Sequence, residues 1–427
     1  MEENQSQYDL IILGASGFTG KYVVREVLKF LNTPNSPLKT LALAGRNTNK
    51  LSQILQWATH PSTPPQIPVI TADVTDPSTL KSLCCSTKLI LNCVGPFRLY
   101  GEPVVAACVD SGCDYLDICG KPEFTERMEV DYHDKAVEKG RLVVSVCGFD
   151  SVPAEFGWMF NSRQWVEPSV PNKELRKSRP RRPRSLAILT ENPRGLPGVN
   201  ESPEHIKRES FWSTMKPAHF GVKIASKSLL GLFRFIMVGM LIGLLGMNSF
   251  GRRLLLKFPF VFSLGWFKKK GPSEDEVRSA CFKMYFVGQG YNDSSLASHG
   301  KKKPNKEIIT RVIRPEIGYL TTPIILLQCA LTVLSQREDL PRGVYTPGIV
   351  FGPTDLQQRL QENGISFDVI SGFSFCLSTL VNFTEYREAT VTKIVYRDRV
   401  VLVVHDMVLF LICGKDVRKF DLPTSCN

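Results

Sequence analysis

The chain has 427 residues, of which 43% are hydrophobic and 22% charged, so it is neither disordered nor fibrous and can build two domains or one elaborated one. A formal net charge of +12 points to an anionic partner: nucleic acid, a phosphorylated cofactor or an acidic membrane surface. The excess is local, in "RKSRPRRPR" (176–184) and in "KKK" at 268–270 and 301–303.

Along the chain, "MEENQSQYDL" carries acids where a targeting segment needs Lys or Arg, and no apolar stretch follows, so no signal peptide is expected. "LIIL" (10–13) reads as a short buried strand. After the turn "GASGFTG", "KYVVREVLKF" (21–30) places Val23, Val24, Val27 and Leu28 at helical spacing. Further strands are expected at 40–45, 68–73, 88–95, 115–120 and 141–148. Between the third and fourth, Asp76 followed by Pro77 marks a helix start. Strands alternating with helical patterns over residues 1–150 predict an α/β unit with a parallel sheet.

The turn after the first strand carries Gly14, Gly17 and Gly20. Glycines there permit a tight turn and close backbone approach to a pyrophosphate, which the free N–H groups of the next helix then hold. Gly14, Ser16, Gly17, Phe18, Thr19 and Gly20 are therefore candidate cofactor contacts. The second strand ends in "AGRN", with Arg46 in place of the acid that binds an NAD ribose. A guanidinium suits a 2′-phosphate, which favours NADP over NAD. Asp73, closing the third strand, is placed to accept from the adenine amine or to cap its own loop. Asn92, Val94 and Gly95 close the fourth, where the nicotinamide half would pass.

The catalytic groups are less legible. None of the 11 tyrosines has Lys four residues on, and no G-x-S-x-G, H-E-x-x-H or C-x-x-C occurs. No catalytic residue is assigned. Tyr100, Asp117 and Lys121 lie near the expected cofactor mouth, each with a structural role as the stronger expectation. The 12 cysteines show no metal-ligand spacing, so reduced core thiols of a cytosolic protein are expected, and no metal.

"GASGFTG", "AGR", "LNCVGPFRLYGEPVVAAC", "DYLDICG" and "CGFDSVPAEFG" together resemble the saccharopine dehydrogenase-like oxidoreductases. The resemblance resumes at "KFPFVFSLGWFKKKGPS", "FVGQGY", "PEIGYLTTPI" and "VYTPGIVF", covering about residues 8–160 and 205–370. It implies an NADP-type Rossmann domain over 1–150 and a second α+β domain over 151–370. Helices around 316–335 and the segment to about 370 would return to brace the first domain. It also implies relatives among glycolipid-assembling bacterial enoyl reductases and among lipid-droplet and membrane proteins of eukaryotes. The chain departs from the family pattern at Lys121, where Glu is usual, in a shortened stretch after Gly157, and in the tail 371–427.

One stretch stands apart. From Phe235 to Phe250 there are 16 uncharged residues, then Arg252 and Arg253, then a second apolar run to Phe267. As a helix, 16 residues cover about 24 Å, short of a hydrocarbon core of about 30 Å. A hairpin over 228–267 lying in a lipid surface is the preferred expectation; a buried helix pair and a single span are the alternatives. The basic loop 172–186 lacks the interleaved aromatics of a nucleic-acid site, so no nucleic-acid partner is expected. The expected function is an NADP-dependent oxidoreductase acting on a lipidic substrate at a membrane or lipid-droplet surface, in glycolipid metabolism. The alternatives are a soluble saccharopine reductase of lysine metabolism and a non-catalytic droplet-surface protein. Oligomeric state is left open.

Overall fold

The computed structural model describes residues 6–60, 62, 65–165, 170–171, 222–226, 229–265, 272–293, 304–374, 401–404 and 407–411. The basic loop 172–186 and most of the tail 371–427 lie outside these residues, as do 268–270 and 301–303.

Six strands and their helices alternate as expected: β1 (Tyr8–Leu13), α1 (Phe18–Val27), β2 (Leu41–Gly45), α2 (Thr48–Thr59), β3 (Val69–Thr71), α3 (Pro77–Cys85), β4 (Thr87–Asn92), α4 (Phe97–Ser111), β5 (Asp114–Asp117), α5 (Pro122–Glu138), β6 (Leu142–Val144) and α6 (Val152–Arg163). The sheet order is 3-2-1-4-5-6, every pair parallel, and Gly343–Tyr345 adds a seventh parallel strand beside β6. Parallel strands need helices on both faces, so the central ones lose alternation and become apolar runs. Leu10, Ile11, Ile12, Leu89, Ile90 and Leu91 are completely buried, whereas edge strand β3 is half-exposed. Asp76 caps α3 as expected, accepting from the Ser78 N–H at 2.9 Å with Pro77 opening the helix.

The chain falls into two compact units. The first compact unit holds the described residues up to Phe160 and also those from Arg314 to Phe367; the second holds the rest. The cause is the helix we call α9 (Thr322–Gln336), whose residues from Thr322 to Val333 are buried and which packs on α1 and against β4 and β5. The run Ile317–Asp339 is long and apolar enough to cross a membrane, but its burial makes it the core helix of this unit. Just past its end, the Arg337 guanidinium grips both oxygens of Asp114 at the start of β5 and donates to the Gly140 carbonyl at 2.8 Å. Asp114 also receives the Leu142 N–H at 2.8 Å.

The second unit has a sheet ordered 366–374, 306–315, 281–291, 401–404, 407–411, 222–226. The two tail strands join it antiparallel to 281–291 and 222–226 respectively. Asn161, at the end of α6, donates its amide to the carbonyls of Phe286 and Ile308 and to the Thr310 hydroxyl, at 3.1–3.2 Å. The same unit carries the apolar pair α7 (Leu229–Gly246) and α8 (Ser249–Lys257). Between them Asn248 accepts from the Gly251 N–H at 2.7 Å, and Arg252 donates back to the Gly246 carbonyl at 2.9 Å, so the chain reverses. A side chain at Gly251 would collide with the Leu245 carbonyl, which brings the two helices into contact at the turn.

Removing Arg337 leaves the Asp114 carboxylate half-satisfied in a poorly solvated place. We expect Arg337→Ala to lower unfolding stability by about 2–3 kcal/mol, read by urea denaturation. A loss below about 0.5 kcal/mol would show that this clasp does not hold the returning segment.

Candidate functional site

The C-terminal ends of β1 to β4 lie on one edge of the sheet because all four run parallel, and the strand order reverses between β1 and β4. Ligands of open α/β sheets bind at such a switch point. Gly14 leaves β1 at φ +82, and a Cβ there would come within 2.7 Å of the Val94 side chain. The loops after β1 and β4 therefore touch, and only glycine lets them. A Cβ on Gly20 would collide with the Gly14 carbonyl, so the first turn of α1 packs directly on the loop.

Gly17 is the N-cap of α1 and supplies no side-chain acceptor. The N–H groups that open a helix have no partner within it. Here those of Phe18, Thr19 and Gly20 emerge beside exposed Ser16 and Gly17. An uncapped helix end behind a glycine cradle fits a pyrophosphate. Arg46 follows β2, is exposed, and makes no ion pair among the described residues. Its charge helps to hold Asp73 below the usual carboxylate range, after the larger effect of the Thr75 N–H and hydroxyl donating to Asp73 at 2.9 and 2.8 Å. One Asp73 oxygen thus serves its own loop, as the capping alternative anticipated. A guanidinium at the end of β2 with no acid beside the ribose position fits the 2′-phosphate of NADP.

Asn92 lies on the same edge but is completely buried. Its oxygen accepts from the Val94 N–H at 2.9 Å, and its amide donates to the Tyr115 hydroxyl at 3.0 Å. It shapes the Val94–Gly95 loop from behind. Tyr115 passes the chain to Asp117, donating at 2.8 Å. Asp117 also accepts from the Ser145 hydroxyl at 3.0 Å and from the N–H groups of Cys119 and Val146 at 2.9 Å. Burial pushes its pKa up against these four donors. With no surface exposed and both oxygens engaged, Asp117 is a tie between loops and cannot reach a substrate. Tyr100 is half-buried against the core, and Lys121 is exposed at the start of α5.

A pocket of about 180 Å³ opens beside this edge, lined by Thr19 of α1, Ile118, Val146, Gly148 to Asp150, Ile317, Gly318 and Thr322. Val146 stands at φ 65, a costly conformation for a β-branched residue, and the Asp117 carboxylate holds its N–H there. Asp150 was not singled out from sequence. Its carboxyl is open to the pocket yet crowded by the walls, which raises its pKa, while Lys121 pulls it down. A Cβ on Gly120 would collide with that carboxyl, so the glycine of "DICG" makes room for it. The signal in the sequence was the pairing of Gly120 with "GFD"; without distances, neither half pointed to the other.

Residues 10–144 match the family model described as the saccharopine dehydrogenase NADP binding domain. An Arabidopsis thaliana protein described as a probable mitochondrial saccharopine dehydrogenase-like oxidoreductase is 58% identical, over 85% of this chain and 96% of that protein. A Mus musculus saccharopine dehydrogenase-like oxidoreductase is 33% identical over 87% of this chain and 99% of its own length. A Caenorhabditis elegans lipid droplet localized protein is 29% identical over 86% of this chain and 99% of its own.

Asp150 gives a stability prediction with a sign. Its pKa is raised on folding by burial, so its contribution is fully present below the unfolded value of about 3.9 and is lost as pH rises through the folded one. Asp150→Asn should therefore match wild type in acid and gain on it as pH approaches neutrality, read by thermal unfolding across pH. A variant that instead loses ground as pH rises would place Asp150 in an ion pair.

Proposed function

Because this chain belongs to the saccharopine dehydrogenase-like oxidoreductases and carries their NADP-binding domain, we propose that it transfers hydride between NADP and a lipidic substrate at a membrane or lipid-droplet surface, with glycolipid metabolism as its setting. The observation that carries the lipid part is the exposed hairpin. Leu244, Met247, Phe250 and Leu256 are 65, 80, 75 and 77% exposed. Apolar surface of this kind marks an interaction site. Exposed Arg252 and Arg253 sit at the turn, where they suit anionic headgroups. The droplet-localized relative supports lipid association; the relative described as mitochondrial leaves the compartment to experiment.

NADPH, when bound, supplies the hydride, and the chain's part is to position and to protect. The amides of Phe18 to Gly20 would hold the pyrophosphate, and Arg46 would hold the 2′-phosphate. The Asp73 oxygen not engaged by Thr75 would be available to the adenine amine. Val94 and Gly95, in the loop fixed by Asn92, would flank the nicotinamide half. Asp150 is the group able to hold a proton on the pocket wall.

A second reading is a droplet-surface protein without turnover. The pocket size favours it: about 180 Å³ is below the 300 Å³ or so of ordinary ligand sites. Equilibrium binding of NADPH and NADH, with and without anionic vesicles, separates the two. Tight NADPH binding supports the enzyme; vesicle association without either nucleotide supports the surface protein.

Two variants test the parts. Arg46→Ala should weaken NADPH about ten- to a hundredfold by isothermal titration and leave NADH nearly unchanged; equal losses would remove the 2′-phosphate assignment. Replacing Leu244, Phe250 and Leu256 together by Asp should weaken vesicle partition at least about tenfold while NADPH binding persists. Unchanged partition would refute the hairpin as the lipid-facing element.

A further inference from the structure

The nucleotide edge is built from the C-terminal ends of the strands. At the opposite edge, where β4 and β5 begin, three cysteine side chains converge. Cys84 lies in the last turn of α3, two residues before Ser86 leads into β4. Cys108 lies in the last turn of α4, and Cys113 immediately precedes β5. Gly112 ends α4 in the left-handed region at φ 97, and the N–H groups of Gly112 and Cys113 both donate to the Cys108 carbonyl, at 3.0 and 3.2 Å. That reversal folds Cys113 back onto Cys108. The Cys84 and Cys108 sulfurs are 3.7 Å apart, and all three sulfurs lie within 4.8 Å of one another.

The exposures are 1, 0 and 0%, and the surrounding side chains, among them Leu80, Leu83, Val105 and Val109, are apolar. A metal about 2.3 Å from each of three sulfurs would hold them about 4.0 Å apart in a trigonal plane. The observed spacing brackets that distance. A disulfide needs about 2.05 Å, so Cys84 and Cys108 would have to close by more than an ångström and a half between two packed helices.

We propose that Cys84, Cys108 and Cys113 form a buried trigonal site for a soft, thiophilic cation of the Cu(I) type. Soft sulfur donors select Cu(I) and Zn(II) from the biological metals. Zn(II) asks for a fourth ligand, and no fourth His, Cys, Asp or Glu joins this group among the described residues. Cu(I) is satisfied by three sulfurs. Binding forms three Cu–S bonds, releases two thiol protons to solvent and leaves the third thiol protonated, with no change of oxidation state. The site then carries one negative charge rather than two, which limits the cost of burying it.

The test uses the full chain, produced with copper in the medium and purified without oxygen. Bound copper is counted, and Cu(I) affinity is measured by competition with a chromophoric chelator. We expect about one Cu(I) per chain with a sulfur-to-copper absorption, weakened at least about tenfold in Cys84→Ala and in Cys108→Ala. Cys85→Ala, at an exposed neighbour, should bind as wild type. NADPH binding reports whether each variant is folded. Should the core variants fail to fold, alkylation of wild type in mild denaturant replaces them: Cu(I) should protect Cys84, Cys108 and Cys113 together. Equal copper retention in Cys108→Ala, no copper in folded wild type, no common protection, Zn(II) bound in preference to Cu(I), or a Cys84–Cys108 disulfide by peptide mapping would each overturn the proposal.

Discussion

Asp117 gathers two backbone N–H groups and two hydroxyls onto a carboxylate with no exposed surface, and the loops after β4, β5 and β6 take their shape from it. Through Tyr115 and Asn92 it reaches the Val94 N–H, where the β4 loop meets the glycine turn of β1. Through the Val146 N–H it holds a strained residue in the pocket wall. A neutral side chain of the same size could accept only part of this set, because an amide turns one oxygen into a donor facing donors. The nucleotide edge and the pocket are thus two ends of one hydrogen-bonded chain, and burial of the charge is tolerated because each oxygen is served twice.

What was legible in the sequence is what periodicity and local chemistry encode. The apolar cores of β1, β2 and β4 and the Asp76–Pro77 helix start fall where expected. Strand ends moved by a few residues, since pairing rather than hydropathy ends a strand; β6 stops at Val144 because Asp117 then takes over the backbone N–H groups. α1 opens at exposed Phe18, ahead of its apolar stripe, because the glycine cradle and not burial sets its start. The long-range parts left no local trace. Gly343–Tyr345 is three residues long, and its place beside β6 is set by contacts about 200 positions away. The approach of Gly120 to Asp150, and of Cys84 to Cys108 and Cys113, is likewise a fact of folding that spacing conceals.

The two long apolar segments make an instructive pair. Ile317–Asp339 passes the length and composition test for crossing a membrane, yet its side chains fill the space between α1 and the sheet. α7 is 18 residues and its partner α8 runs back from a capped turn, with large side chains left facing outward. Hydropathy alone marks both as lipid-seeking elements. Burial separates them, because a side chain already packed in protein has no transfer free energy left to gain from lipid.

The return of Arg314–Phe367 into the first unit has a consequence for how the chain is made. A ribosome adds about 5–20 residues per second, so roughly 10–40 seconds separate the emergence of α6 from that of the strand that completes the sheet. During that interval the outer edge of β6 is unpaired and the face awaiting α9 is bare, while α7 and α8 have already emerged. The nucleotide unit is therefore a late-closing, high-contact-order object, and the apolar hairpin emerges from the ribosome before that unit can shut.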